Sequence, residues 1–116
     1  MYKEEILNHS EFPQNYGKLK SYDYSGEEFN PFCGDKIKVY LKLKSQKIED
    51  IAFESQGCII AKASASVFSE FLKGKKVTEI LKMDAGDILD LIKIELSPNR
   101  IKCAELVLLA IKNAIK

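Results

Sequence analysis

Three cysteines and one aspartate are the residues of this chain best suited to chemistry. Cys33 and Asp35 stand two residues apart in the loop sequence Asn30-Pro31-Phe32-Cys33-Gly34-Asp35, Cys58 follows Gly57, and Cys103 closes Arg100-Ile101-Lys102-Cys103. A thiolate is both a nucleophile and a soft metal ligand, and a carboxylate adds a harder oxygen donor. No two cysteines have the Cys-x-x-Cys spacing of a zinc knuckle, so spacing alone equally admits three small buried hydrophobes. Local context weighs the other way. Pro31 fixes the approach to the first loop and Gly34 permits a tight backbone, so Cys33 and Asp35 project from one place. Cys58 sits where a strand gives way to a helix, and the peptide N–H groups at a helix start favour a thiolate. Cys103 falls in the early turns of the last helix, where Lys102 and Arg100 act in the same sense. If the fold draws them together, Cys33, Asp35, Cys58 and Cys103 make a site of three sulfurs and one oxygen. The chain's one histidine, His9, rules out a multi-histidine centre, and three cysteines cannot all pair as disulfides within the chain.

The elements that must position these residues are legible in the hydrophobic pattern. Tyr2, Ile6 and His9 or Ser10 have helical spacing, which predicts a short helix over about 2–9 that ends near Pro13. Asn15-Tyr16-Gly17 is a turn, and 21–30 reads as an edge strand carrying Tyr22, Tyr24 and Phe29. Ile37, Val39, Leu41 and Leu43 alternate with Lys36, Lys38, Tyr40, Lys42 and Lys44, the period of a half-buried strand. After a turn at Ser45-Gln46-Lys47, residues 48–55 form a second strand with Ile51 and Phe53 on one face, and the two should pair as an antiparallel hairpin. The lysine row is read as the solvated face of that hairpin. Beyond Gly57 the period becomes helical: Ile60, Ala63, Val67 and Phe71 make one stripe, ended at Gly74. Shorter helices are expected over 76–81 and 85–94, around a cap at Asp84. Ser97-Pro98 starts the last helix, with Val107, Ala110, Ile111 and Ala114 as its apolar stripe, widened by Leu106, Leu108, Leu109 and Ile115. The sum is an α+β fold: a three-stranded antiparallel sheet with helices packed on one face, a short N-terminal helix and a long C-terminal one.

Length and charge narrow the function. A chain of 116 residues, 46% hydrophobic and 30% charged, is expected to be one domain over 1–116 that holds a core without disulfide or metal. A net charge of +1 supplies no field to recruit nucleic acid or an anionic membrane. No targeting signal and no apolar run of the ~20 residues needed to cross a bilayer is visible, so the expectation is a cytoplasmic protein with reduced thiols.

At this point the sequence resembles a known family over nearly its whole length: the U-type iron–sulfur cluster scaffolds, comprising IscU, SufU and the N-terminal domain of NifU. YKEEILNHSEFPQNYG, from Tyr2 to Gly17, is similar to the family's opening helix and turn. NPFCGD (Asn30 to Asp35), QGCIIAKASAS (Gln56 to Ser66) and RIKCAEL (Arg100 to Leu106) resemble its three ligand segments, in order. The resemblance implies a metal site of Cys33, Asp35, Cys58 and Cys103, with Gly34, Gly57, Arg100 and Lys102 immediately around it. Thiolates suit iron–sulfur clusters and zinc. An oxygen ligand from Asp35 in place of a fourth thiolate should leave one position labile, which serves a cluster that must be handed on. The alternative for Asp35 is a simple turn cap.

The chain also departs from the family pattern. IscU-like members place a histidine before the third cysteine, where this chain has Lys102, and His9 is read as a surface or packing residue. Arg-x-Lys-Cys at Arg100 to Cys103 resembles the SufU branch. SufU-like members, however, carry an insertion of about twenty residues between the second and third cysteines, and the step from Cys58 to Cys103 has no room for it. Leu96-Ser97-Pro98-Asn99 lacks the Leu-Pro-Pro-Val-Lys sequence that engages an Hsp70-type chaperone, so the resemblance does not extend to that partner. Arg100 is the only arginine, read either as a planar group forked onto a carboxylate or as a surface residue. Lys102 is read as a partner for Asp35, as a support for the Cys103 thiolate, or as simple solvation of the helix.

The function the resemblance implies is a scaffold rather than an enzyme. Such a protein accepts sulfur from a cysteine desulfurase together with iron, assembles a transient [2Fe–2S] cluster, and passes it to apo iron–sulfur proteins or cluster carriers. The alternative is a SufU-like zinc-dependent sulfurtransferase, in which the same residues hold Zn²⁺ and a thiolate accepts the desulfurase's persulfide sulfur.

Overall fold

Alternating hydrophobicity in the middle of the chain becomes a three-stranded sheet, and the helical stripes that follow cover one side of it. The computed structural model describes residues 4–31, 34–93 and 95–115. In chain order the elements are α1 (Glu4–Glu11), β1 (Tyr24–Asn30), β2 (Asp35–Lys44), β3 (Lys47–Gln56), α2 (Ile59–Leu72), α3 (Val77–Leu81), α4 (Ala85–Ile92) and α5 (Pro98–Ile115). The strands lie in the order β1-β2-β3, and each neighbouring pair is antiparallel. Ser45 and Gln46 both take positive φ (54° and 67°), the two-residue hairpin conformation whose twist matches the strands it joins. The expected α+β architecture is the one observed, with a short N-terminal helix and a long C-terminal one.

Ile37, Val39 and Leu41 of β2 and Ile51 and Phe53 of β3 are fully buried under the helices. Lys36, Lys38 and Lys42 alternate with the buried residues, and Lys38 reaches Glu27 at 3.8 Å. The lysine row is thus the solvated face that the alternation predicted. Tyr40 is its buried exception: its ring packs edge-on to Tyr22 at 5.0 Å, and its hydroxyl donates to Glu54 Oε1 at 2.7 Å. Burial, and then the hydrogen bond to Glu54, push its phenol up to about 12.

Two approaches fix the helices. α5 crosses β1 and β2 at Gly26, where a Cβ would collide with the Ala110 carbonyl and stand 2.8 Å from the Ala114 nitrogen. Helix α2 packs on β3, α5 and α1 together. That crowding corrects the sequence-derived stripe. Ile60 and Ala63 are buried as expected, but Val67 and Phe71 are only half-buried, and Phe68 and Leu72 join Ile60 as the large fully buried residues of α2. Ala61, Ser64, Ala65, Ser66 and Ser69 are buried as well, and residues this small leave little trace in a hydrophobic period.

The serines of α2 fasten the N-terminal segment. Ser66 Oγ lies 2.7 Å from His9 Nδ1 and accepts the Gln14 backbone N–H at 2.7 Å. Asn15 Nδ2 donates to Ser69 Oγ at 2.9 Å. Residues 15–17 then run along the free edge of β3, with the Phe53 N–H donating to Asn15 O (3.0 Å) and the Gly17 N–H to Phe53 O (2.8 Å). Of the two readings from the sequence, surface or packing, His9 takes the second, with its ring on Ser66.

Element ends differ from expectation in places. β1 begins at Tyr24 rather than 21, and α1 runs to Glu11. α4 stops at Ile92 because Lys93 adopts the left-handed conformation (φ 56°), and Ile94, assigned to this helix from the sequence, lies outside the described residues. The Asp84 cap is present as a reciprocal capping box with Asp87. Gly74 takes φ 86° just past α2, and the Ile101 N–H donates to Ser97 O at 2.9 Å where Ser97-Pro98 starts α5. Among the described residues, no helix is long and apolar enough to cross a membrane.

Candidate metal centre

One end of the sheet collects residues from distant parts of the chain. Asp35 is the first residue of β2, Cys58 is the N-cap of α2 directly after β3, and Cys103 lies in the second turn of α5. A carboxylate oxygen of Asp35 and the sulfurs of Cys58 and Cys103 all lie within 4.8 Å of one another. Asp35 and Cys103 are both 0% exposed, and Cys58 is half-buried. Cys33, the fourth residue expected here, lies outside the described residues.

Asp35 is held by a backbone arrangement that only glycine permits. Gly57 has φ +125°, and a Cβ there would overlap Asp35 Oδ1 and come within 2.8 Å of the Asp35 Cα. In the space so left, Asp35 Oδ1 accepts the Cys58 N–H at 2.7 Å, and Asp35 Oδ2 accepts from the Cys58 thiol at 3.4 Å. One oxygen is engaged by the backbone and the other faces sulfur. Asp35 does cap a backbone N–H, but that group belongs to the start of α2, 23 residues along the chain. The loop's own turn is closed by the Gly34 N–H donating to Asn30 O at 2.9 Å, with Gly34 at φ +71°. Capping and metal binding are thus compatible roles for the two oxygens of one carboxylate, and a negative group at this helix start also suits the dipole.

The distances suit a metal. Donors on a tetrahedral zinc, with Zn–S about 2.3 Å and Zn–O about 2.0 Å, stand roughly 3.5–3.8 Å apart. The Cys58–Asp35 pair already has that spacing, and the widest separation in the group needs to close by about an ångström. The donor set is soft, with one hard oxygen, which fits zinc or iron–sulfur chemistry better than calcium or magnesium.

Around these donors, Arg100 and Lys102 are exposed on the first turns of α5, each with interactions of its own. Lys102 lines a groove with Phe29, Asn30, Pro31, Leu106 and Leu109 at the edge of β1. Asn30, which carries no candidate role in the sequence, also lies here. It is 5% exposed, and its Nδ2 donates to Cys103 Sγ at 3.7 Å. The one signal that could have found it is its place in the ligand loop, a polar residue just before Pro31.

The family model for the NifU-like N-terminal domain matches residues 1–116. The chain is 35% identical to the iron–sulfur cluster assembly scaffold protein IscU 1 of Archaeoglobus fulgidus over 115 residues, 99% of this chain and 74% of the relative. It is 33% identical to the zinc-dependent sulfurtransferase SufU of Bacillus subtilis, with 99% of this chain and 89% of the relative covered. Among solved structures it is similar to FiSufU of Fervidobacterium islandicum AW-1, with a TM-score of 0.83 at 29% identity, covering 99% of this chain and 96% of that one.

Proposed function

The chain belongs to the NifU-like N-terminal domain family, and we propose that residues 1–116 act as a single scaffold domain on which a transient [2Fe–2S] cluster is assembled and then handed on. The observation that carries this reading is the convergence of Asp35, Cys58 and Cys103 from three separate elements to within 4.8 Å. In this reading Cys33, two residues before Asp35, is the remaining ligand, and the cluster is cargo held by three sulfurs and Asp35 Oδ2, the oxygen that faces the Cys58 sulfur. A cysteine desulfurase supplies the sulfur, and apo iron–sulfur proteins or carriers receive the product. The protein's part is to hold thiolates and one exchangeable oxygen in place; it turns over no substrate of its own.

A second reading, zinc-dependent sulfur transfer, is favoured by the likeness to SufU and by Lys102 standing where IscU-like members have histidine. The same four residues would then bind Zn²⁺, and a released thiolate would accept the persulfide sulfur.

Anaerobic reconstitution with iron, cysteine and a desulfurase separates the two. The scaffold reading predicts a visible cluster chromophore, its transfer to an apo-ferredoxin, and loss of both in Cys58→Ser and Cys103→Ser. Tightly held zinc that resists iron, with stimulation of the desulfurase that vanishes in the same variants, would instead establish the transferase. A protein that takes up neither metal and leaves the desulfurase unaffected would contradict both.

A further inference from the structure

We infer that Asn30 is a positioning residue for the metal centre: its buried carboxamide holds the sulfur of Cys103 and supports that sulfur in its metal-bound, thiolate form. This deepens the metal-site reading above and rests on it.

Asn30 ends β1 and stands directly across from Asp35 in the β1–β2 register. One strand pair therefore places a ligand on β2 and, opposite it, a donor to a second ligand that arrives on α5. The contact joins residues 73 apart, Asn30 Nδ2 to Cys103 Sγ at 3.7 Å, with the asparagine only 5% exposed. Cys103 Sγ also lies 3.6 Å from the Asn99 carbonyl one turn earlier, the back-bond that a thiol makes in a helix. These two partners respond oppositely to metal binding. The contact with Asn99 needs the thiol proton, which leaves when sulfur binds a metal. Donation from Asn30 needs only sulfur lone pairs, and it strengthens when the sulfur carries charge. Asn30 is therefore matched to the metal-bound state.

Hydrogen bonds to ligating sulfurs withdraw electron density from the metal, and they tune both affinity and cluster potential. Cobalt(II) reads this directly, because the sulfur-to-cobalt charge-transfer band reports the electron density on the thiolates. The full chain is loaded anaerobically with Co²⁺ as wild type, Asn30→Ala and Asn30→Ser, the last retaining a hydroxyl donor, and the metal-free melting of each is followed in parallel. The expected result for Asn30→Ala is a band at longer wavelength and roughly 10-fold weaker binding, with Asn30→Ser lying between it and wild type. If Asn30→Ala does not fold, an intermediate shift in Asn30→Ser carries the same conclusion. Variants that match wild type in band position and affinity, or that change only metal-free melting, overturn the role of Asn30 and leave the metal centre standing. A wild-type chain with no thiolate–cobalt band removes the metal centre itself, and the role of Asn30 with it.

Discussion

Two clusters of polar side chains are drawn into the interior, and they are built differently. In the seam between α1 and α2, Ser66 and Ser69 meet His9, Gln14 and Asn15 through contacts of 2.7–2.9 Å. At the end of the sheet, the sulfurs of Cys58 and Cys103 meet Asp35, Asn30 and Asn99 at 3.4–3.7 Å, while the short bond is to a backbone N–H. The seam is a closed set of ordinary hydrogen bonds, whose return is stability. The sheet end has the longer contacts normal for sulfur, and its buried polar atoms are of the types that bind soft metals. Burial of polar groups alone does not mark a functional site; what sets the sheet end apart is the donor type, two thiols and a carboxylate gathered within 4.8 Å.

The largest effect that should separate the two regions is that of Gly57→Ala. Its Cβ demands both a strained φ and the space of Asp35 Oδ1, so denaturant unfolding should show a loss of about 3 kcal/mol or more, and metal titration should show loading lost. Retained loading would mean that the Asp35 position is not needed. Next comes Ser66→Ala, which leaves the Gln14 N–H and His9 without their hydroxyl partner. It should cost about 1–3 kcal/mol and leave metal loading unchanged, and a change in loading would break the division between the clusters. The smallest effect lies on the outer face. Tyr40 has its phenol pushed up to about 12, against about 10 in an unfolded chain. Its contribution is therefore fully present below pH ~10 and fades as pH rises toward 12. Denaturation midpoints between pH 9 and 11.5 should fall less steeply in Tyr40→Phe than in wild type; equal slopes would show that the hydroxyl carries no such linkage.

The fold was legible wherever its cause is local. Alternation from Ile37 to Leu43 gave the central strand, Ser97-Pro98 the start of α5 and Asp84 the capping box, because each rests on a few adjacent residues. Helix α2 was misjudged in detail because its burial is spread over alanines and serines, and the centre of its core face, Phe68 and Leu72, is visible only once α1 is seen to cover another side. Lys93 ends α4 in a conformation usually left to glycine or asparagine, so no sequence signal announced it. At the sheet end, the convergence of Asp35, Cys58 and Cys103 joins residues whose types and flanking glycines, Gly34 and Gly57, were already visible in the sequence. Asn30 showed only its place in the loop sequence before Asp35, because its contact with Cys103 spans 73 residues. For the same reason, Asp35 as the cap of a distant helix was invisible to a reading that looked for its turn nearby.

The central claim is that three thiolates and one carboxylate converge on one metal centre, and X-ray absorption on the chain loaded with zinc as a single-ion probe tests it most directly. The account predicts three sulfur neighbours near 2.3 Å and one oxygen near 2.0 Å, with one sulfur fewer in Cys103→Ser. A zinc shell of nitrogen and oxygen alone, unchanged in that variant, would contradict it.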